Sequence, residues 1–329
     1  VRVLVIGASG FIGVHVVDAL RALGVEPRCG QRAAAPRRAL RARGLDAERI
    51  DLDDPDLAGR IGDAEVVVHA AGHYPRTSRY AAAALATGRR QTRALLDACA
   101  SAGVRRLVYV SSTATVARRN GRPSDERDVY PRAPAFGVYH ALKWEMEALV
   151  ARERRVATVV ACPSGCLGAE DLRVGTCALL LAAARGLDPI HPDGLVSLVD
   201  VRDAAAGIAR LATMPAPPAR VLLSGHDVGL HGFLTVLAER YRTPPPSPPL
   251  PAEAALAWAD AAEAAAEPAG GRAPLPRELV DLVLHGRALD TSLATSALGV
   301  RWRPLDETLD TFDAWARRAR LLPPTPESP

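Results

Sequence analysis

Through its first half the chain alternates short unbroken apolar runs with stretches in which apolar residues recur every three to four positions. Residues 3–6 are wholly apolar, and the segment after them carries Ile12, Val16, Leu20 and Leu23 on one helical face before a stop at Gly24. An unbroken apolar run suits a strand covered on both sides, and the longer period suits the helix that covers it. The same criteria predict strands near residues 27–30, 49–52, 65–69, 106–111 and 156–162, with helices between them, most clearly 92–102 and 136–152. Pro27 has no N–H to give to a sheet, so the second strand is expected to start late. Regular alternation of strand and helix predicts an α/β fold built on a doubly wound parallel sheet.

The regularity fades after Cys162. Pro163, Gly165 and Gly168 predict a loop, residues 175–184 a short helix, and residues 196–201 and 220–224 two strands returning to the sheet. The proline-rich run 244–251 predicts a rigid loop ahead of an alanine-rich helix at 252–266. A Pro/Gly segment, a closing helix at about 306–320 and an unstructured tail at 323–329 are expected to follow.

Composition narrows the class. Of 329 residues 48% are hydrophobic, ample for a buried core. Apolar stretches such as 178–184 are too short to cross a bilayer and no basic-then-apolar leader precedes the first strand, so a cytoplasmic protein without a membrane partner is expected. Five cysteines (Cys29, Cys99, Cys162, Cys166 and Cys177) in irregular spacing predict reduced, packed thiols. The net charge of +4 comes from arginines spread along the chain without a basic block, which speaks for a solvated surface and against a nucleic-acid partner. His69 and His73 are four apart but have no nearby Cys or Glu to complete a ligand set, so no metal is expected.

Two motifs carry chemistry. Gly7-Ala8-Ser9-Gly10-Phe11-Ile12-Gly13 joins the first strand to the first helix. Gly7 suits the tight turn, Gly10 the approach of a pyrophosphate to the backbone and Gly13 the packing of helix on strand, which points to a dinucleotide. At the end of the second strand an acidic residue would accept from the adenosine ribose; here Arg28-Cys29-Gly30-Gln31-Arg32 is followed by Arg37 and Arg38. Cations there favour NADP(H), with NAD(H) as the other option, and Arg32 is the residue expected to meet a 2'-phosphate. The second motif is Tyr139-His140-Ala141-Leu142-Lys143, whose lysine is the only one beside forty arginines. Tyr139 and Lys143 fall on one helical face, and an ammonium near a phenol favours the phenolate, which suits acid–base work. Ser111-Ser112-Thr113 ends the strand before that helix, where open parallel sheets hold ligands.

In this order, glycine turn, hydroxyl cluster and Tyr-x-x-x-Lys resemble the extended short-chain dehydrogenase/reductase superfamily, with its NAD-dependent epimerases, dehydratases and dihydroflavonol-reductase-like members. Asp51-Leu52, His69-Ala70-Ala71-Gly72, Cys162-Pro163-Ser164-Gly165 and Asp200-Val201-Arg202-Asp203 add to the likeness. It implies a Rossmann domain over 1–162 and a smaller C-terminal substrate-binding cap over 163–329, with 195–225 returning to the sheet. It implies cofactor contacts from Gly7, Ser9, Gly10, Phe11, Ile12, Gly13, Arg32, Asp51, Leu52, Ala70, Ala71, Gly72, Tyr139, Lys143, Pro163 and Gly165. Tyr139 would be the general acid/base and Lys143 would lower its pKa and hold the nicotinamide ribose. Thr113 would hydrogen-bond the reacting oxygen, with Ser112 as its substitute. A homodimer is usual among similar proteins. One departure is Gly88, where the superfamily usually has an asparagine that serves a proton relay; Gln91 could replace it.

The resemblance leaves the reaction open. Sugar-nucleotide epimerases and dehydratases usually carry a Tyr-Gly pair where this chain has Ala117-Arg118, which favours an oxidoreductase acting on a small-molecule carbonyl or alcohol. A nucleoside-diphosphate-sugar epimerase or dehydratase is the alternative, with Arg118, Arg119, His73, Tyr74 and Arg76 as candidate anion binders. A non-catalytic NADP-sensing regulator is the third option, disfavoured because Tyr139 and Lys143 are both retained.

Overall fold

Each of the four side chains of residues 3–6 is buried, and so is every residue of the strands at 66–69 and 106–110, because helices cover both faces of the sheet they form. The structure, a computed structural model, describes residues 1–33, 38–74, 77–171, 175–269, 273 and 276–323. The elements begin β1 (Val3–Ile6), α1 (Phe11–Ala22), β2 (Arg28–Gln31), α2 (Arg38–Arg41), β3 (Glu48–Arg49), α3 (Leu57–Ile61), β4 (Val66–His69), α4 (Ala81–Ser101) and β5 (Arg106–Val110). They continue α5 (Val138–Ala151), β6 (Ala157–Pro163), β7 (Gly165–Leu167), α6 (Ala178–Ala184), β8 (Leu195–Asp200), α7 (Val201–Thr213), β9 (Arg220–Leu223) and β10 (His226–Gly229). Five helices close the chain: α8 (Leu230–Tyr241), α9 (Ala252–Ala266), α10 (Arg277–Leu284), α11 (Ser292–Leu298) and α12 (Leu305–Arg318).

Seven parallel strands in the order β3-β2-β1-β4-β5-β6-β9 make the main sheet, a Rossmann-like arrangement. Alternate residues of each strand enter two separate cores. Val3, Val5, Val66 and Val68 pack under α1 and α7, while Leu4, Ile6, Val67 and Leu107 pack under α4 and α5. The order reverses between β1 and β4, which opens a crevice beyond their C-terminal ends.

A smaller mixed sheet, β10-β8-β7, forms the base of the C-terminal part. Here the structure departs from expectation. The strand expected at 196–201 joins this sheet, and only β9 returns to the main one. Val221, Leu222 and Leu223 of β9 are fully buried, as a strand between two helical layers requires, whereas the first half of β8 is half exposed beside the cavity described below. The loop expected at 163–168 contains β7, which finds its partner in β8, some thirty residues on. The helix expected at 92–102 is the second half of α4, whose alanine-rich start lacks an apolar period. The strand expected at 49–52 is paired only at Glu48–Arg49, although Ile50 and Leu52 are still buried. As expected, the second strand begins after Pro27. Most of the tail, residues 324–329, lies outside the described residues, as do parts of the Pro/Gly segment, 270–272 and 274–275. Helix α12 packs Phe312 and Trp315 against Leu180, Leu198 and Phe233 in a third core under the cap.

Candidate active site

Steric limits define the glycine turn. Gly7 has a φ of +91°, and a Cβ there would come within 2.8 Å of the Ala70 carbonyl carbon. On Gly13 a Cβ would come within 2.1 Å of the Gly7 oxygen, so any side chain would push α1 off the turn. Gly10 precedes α1 and no side chain caps that helix, so its first N–H groups and positive dipole end face the crevice. A bare helix start behind a turn too tight for side chains suits a pyrophosphate. Ser9, Phe11 and Ile12 are half-buried around it, and Ala70, Ala71 and Gly72 follow β4 on the other side of the crevice.

At the adenosine end the arginines divide. Arg28 is committed to Glu48 through Nε at 2.8 Å and Nη2 at 2.5 Å, and its Nη1 donates to the Ile61 carbonyl. It therefore does not join a phosphate site. Arg32 is exposed and lines the cavity beside Tyr139 and Ser112, and Arg38 is exposed at the start of α2. Arg37 lies outside the described residues. Asp51 is half-buried, accepting from the Asp53 amide at 3.2 Å, and Leu52 is buried beside it.

The chemical centre sits where α5 crosses the end of β5. Tyr139 and Lys143 share one face of α5, and the Lys143 Nζ lies 5.8 Å from the Tyr139 ring centroid and 3.5 Å from the Val110 carbonyl oxygen. A Cβ on Gly72 would stand 3.3 Å from Nζ, so the ammonium occupies the same crevice as the glycine turn. Burial pushes Lys143 down to about 8 and Tyr139 up to about 12, the latter opposed by the Ser112 hydroxyl that hydrogen-bonds the phenol. Burial sets the direction for the Tyr139 phenol here. The ammonium sits over the ring face, and exclusion of water disfavours the phenolate. Ser112 meets the phenol directly, with its Oγ also accepting from the Ala114 amide at 3.1 Å, and Thr113 lines the cavity beside it. Pro163 ends β6, and Gly165 lines the cavity from β7.

Gly88 is a packing position. A Cβ there would lie 2.7 Å from Leu142 Cδ1 and 2.9 Å from Met146 Sδ, because α4 and α5 cross at this point. Gln91 does not replace the missing asparagine, since its amide donates to Asp53 at the surface at 2.9 Å.

Tyr139, Ser112 and Thr113 form the floor of a cavity of about 770 Å³. Its upper wall is aliphatic, with Leu179, Ile190, Leu195, Leu230, Leu279 and Val283 from the cap. Tyr74 lines it too, its ring 5.0 Å from that of Tyr139. Arg118 and Arg119 do not line it. Arg118 donates to the Gly286 carbonyl at 3.1 Å, and Arg119 pairs with Asp128 at 2.5 Å. His73 is half-buried in the loop after β4, and Arg76 lies outside the described residues. Sequence reasoning missed His191 and Arg287, both on the wall; Arg287 is nearly buried, with its guanidinium over the Tyr130 ring at 5.8 Å. Neither stands in a local motif, although the apolar residues 279, 280, 282 and 283 have the spacing of a helix that faces the site.

The remaining candidates pack. All five cysteines are buried and unpaired, with burial pushing Cys162 up to about 12. His69 stacks on Tyr109 at 5.4 Å, and burial, then Lys143, pushes it down to about 3. Among the described residues no three His, Cys, Asp or Glu converge as a metal set, and no helix is long and apolar enough to cross a membrane.

Comparison with known proteins agrees with this geometry. Residues 3–220 match the model of the NAD dependent epimerase/dehydratase family. The chain is 28% identical over 319 residues to a Synechocystis sp. protein named "Putative dihydroflavonol 4-reductase", covering 94% of this chain and 93% of the other. It is 31% identical over 251 residues to 4-hydroxy-2-methyl-3-oxo-4-farnesyl-3,4-dihydroquinoline-1-oxide ketoreductase of Stigmatella aurantiaca, covering 72% of each. The crystal structure of gox2253 superposes with a TM-score of 0.81 at 25% identity, over 98% of this chain and 99% of that one. With this fold, this turn and a match over residues 3–220, the chain belongs to the NAD dependent epimerase/dehydratase family, the extended short-chain dehydrogenase/reductase type of NAD(P)-dependent enzyme.

Proposed function

We propose that this protein is an NADP(H)-dependent reductase of a largely apolar ketone. The observation that carries the reading is the mainly aliphatic wall facing Tyr139 and Ser112, on which Arg287 is turned to the Tyr130 ring, while Arg118 is bonded to the Gly286 carbonyl and Arg119 to Asp128. A diphosphate needs paired cations or clustered N–H donors, and an apolar carbonyl needs a dry wall and one or two hydroxyls. The ketoreductase relative, whose named substrate carries a farnesyl group, supports the same choice.

When bound, the nicotinamide supplies the hydride that goes to the carbonyl carbon. Tyr139 gives its phenolic proton to the carbonyl oxygen, so ketone, hydride and proton together yield the secondary alcohol. Ser112 holds that oxygen, with Thr113 next to it, and accumulating charge is met by a pre-set hydroxyl instead of by water. Lys143 holds the nicotinamide ribose and favours the phenolate left after transfer. The glycine turn and the start of α1 hold the pyrophosphate. Arg32, at the end of β2, would meet the 2'-phosphate of NADP(H).

The reading is tested by following NADPH oxidation over a panel of apolar and aromatic ketones, with UDP-glucose as the sugar-nucleotide arm and Tyr139→Phe as control. Turnover of ketones, lost by about 100-fold or more in the variant, is expected. Interconversion of UDP sugars without net cofactor consumption would replace the reading with an epimerase.

A further inference from the structure

Behind the Tyr139–Lys143 pair a buried ion pair joins the elements that carry the site. Glu147 lies one helical turn after Lys143 and two after Tyr139, so the three share a face of α5. Its Oε2 accepts from the Ser111 hydroxyl at 2.5 Å and the Thr115 hydroxyl at 2.8 Å, and its Oε1 accepts from Arg220 Nε at 2.7 Å. Arg220, on β9, directs its other nitrogens to Thr115 Oγ1 at 2.8 Å and the Glu126 carbonyl at 2.7 Å. The two side chains are 7% and 13% exposed.

Charges that deep lose more hydration than their attraction returns unless the remaining polar sites are also satisfied. These are satisfied by residues that matter to the site. Ser111 and Thr115 bracket Ser112 and Thr113, so one carboxylate fastens both ends of the hydroxyl loop to the helix that presents Tyr139.

We propose that Glu147, oriented by Arg220, is a positioning residue. It pins the hydroxyl loop against α5 and places a fixed negative charge one turn from the Lys143 ammonium. The reductase reading is needed only for the catalytic consequence.

The groups facing Lys143 are Tyr139 and Glu147 on α5, His69 at the end of β4 and Cys162 on β6. Those facing Glu147 are Arg220 on β9, Tyr109 on β5, Cys162 on β6 and, through Arg220, Glu126 in the preceding loop. His69 is held neutral and Cys162 protonated near neutral pH, which leaves Glu147 as the ionised partner acting on the ammonium.

Because Lys143 is the sole lysine, lysine labelled with carbon-13 at Cε gives one side-chain signal, and its titration reads this ammonium without any substrate. Glu147→Gln is expected to lower the midpoint by about one pH unit. Arg220→Gln leaves the carboxylate without its cation and is expected to raise it, a change of sign that general loosening would not produce. Folded Glu147→Gln should also lose about tenfold in kcat with NADPH affinity held within about threefold. Midpoints within about 0.2 unit of wild type in either folded variant would overturn the proposal. Where Glu147→Gln does not fold, the upward shift in Arg220→Gln decides. A wild type that turns over no ketone would remove the reductase reading and leave the titration result standing by itself.

Discussion

Replacing Lys143 with methionine should stabilise the protein while destroying its activity. The residue is 8% exposed, and burial pushes its pKa from 10.5 to about 8. Below pH 8 both folded and unfolded chains carry the proton, and the folded state bears the full cost of a buried cation. A depression of about 2.5 units at about 1.4 kcal/mol each comes to about 3 kcal/mol. Between about pH 8 and 10.5 the unfolded chain binds more protons than the folded one, so this contribution raises stability as pH rises and the cost fades. Methionine fills similar space without the charge. Urea unfolding from pH 6.5 to 10, for wild type and Lys143→Met side by side, measures the difference. The buried thiols and phenols oppose stability at alkaline pH in both proteins and cancel in the subtraction. The variant should gain about 3 kcal/mol at pH 7 and progressively less above pH 8. A variant less stable than wild type at pH 7, or an advantage that does not shrink with pH, would refute the reasoning.

Further substitutions probe other parts of the structure. Arg32→Ala should weaken NADPH binding by about tenfold or more and leave NADH binding nearly unchanged, read by fluorescence titration; an equal loss for both would remove the case for a 2'-phosphate contact. Gly13→Ala places a methyl where the Gly7 oxygen stands, so it should abolish binding of both cofactors, and retained binding would show that the turn yields. Gly88→Asn, which restores the residue usual in similar proteins, should lower stability by about 1–3 kcal/mol in urea unfolding without raising kcat, because Leu142 and Met146 fill the space.

The parts of this protein legible in its sequence are those whose physics is local. A helix puts residues four apart on one face, so Tyr139 and Lys143 had to meet. Glycines at a strand-to-helix junction announce a turn whose sterics involve only the few residues around it. The fully buried strands show themselves as unbroken apolar runs. Where the outcome hung on a distant partner, sequence reasoning fell short. Arg28 looked as available to a phosphate as Arg32 until Glu48 on the neighbouring strand claimed it. Arg119 is taken by Asp128, and Glu147 gains its meaning only when Arg220 arrives on β9.

The glycine turn and the phenol–ammonium pair are written in the order of the residues, since each follows from backbone sterics or helical spacing within about a dozen residues, and the parallel sheet is legible in the alternation of apolar runs with helical stretches. Long-range packing set which sheet β8 joins, which arginines stay available and the upward push of burial on the Tyr139 phenol. Those outcomes depend on which segments, far apart in the chain, exclude water from one another.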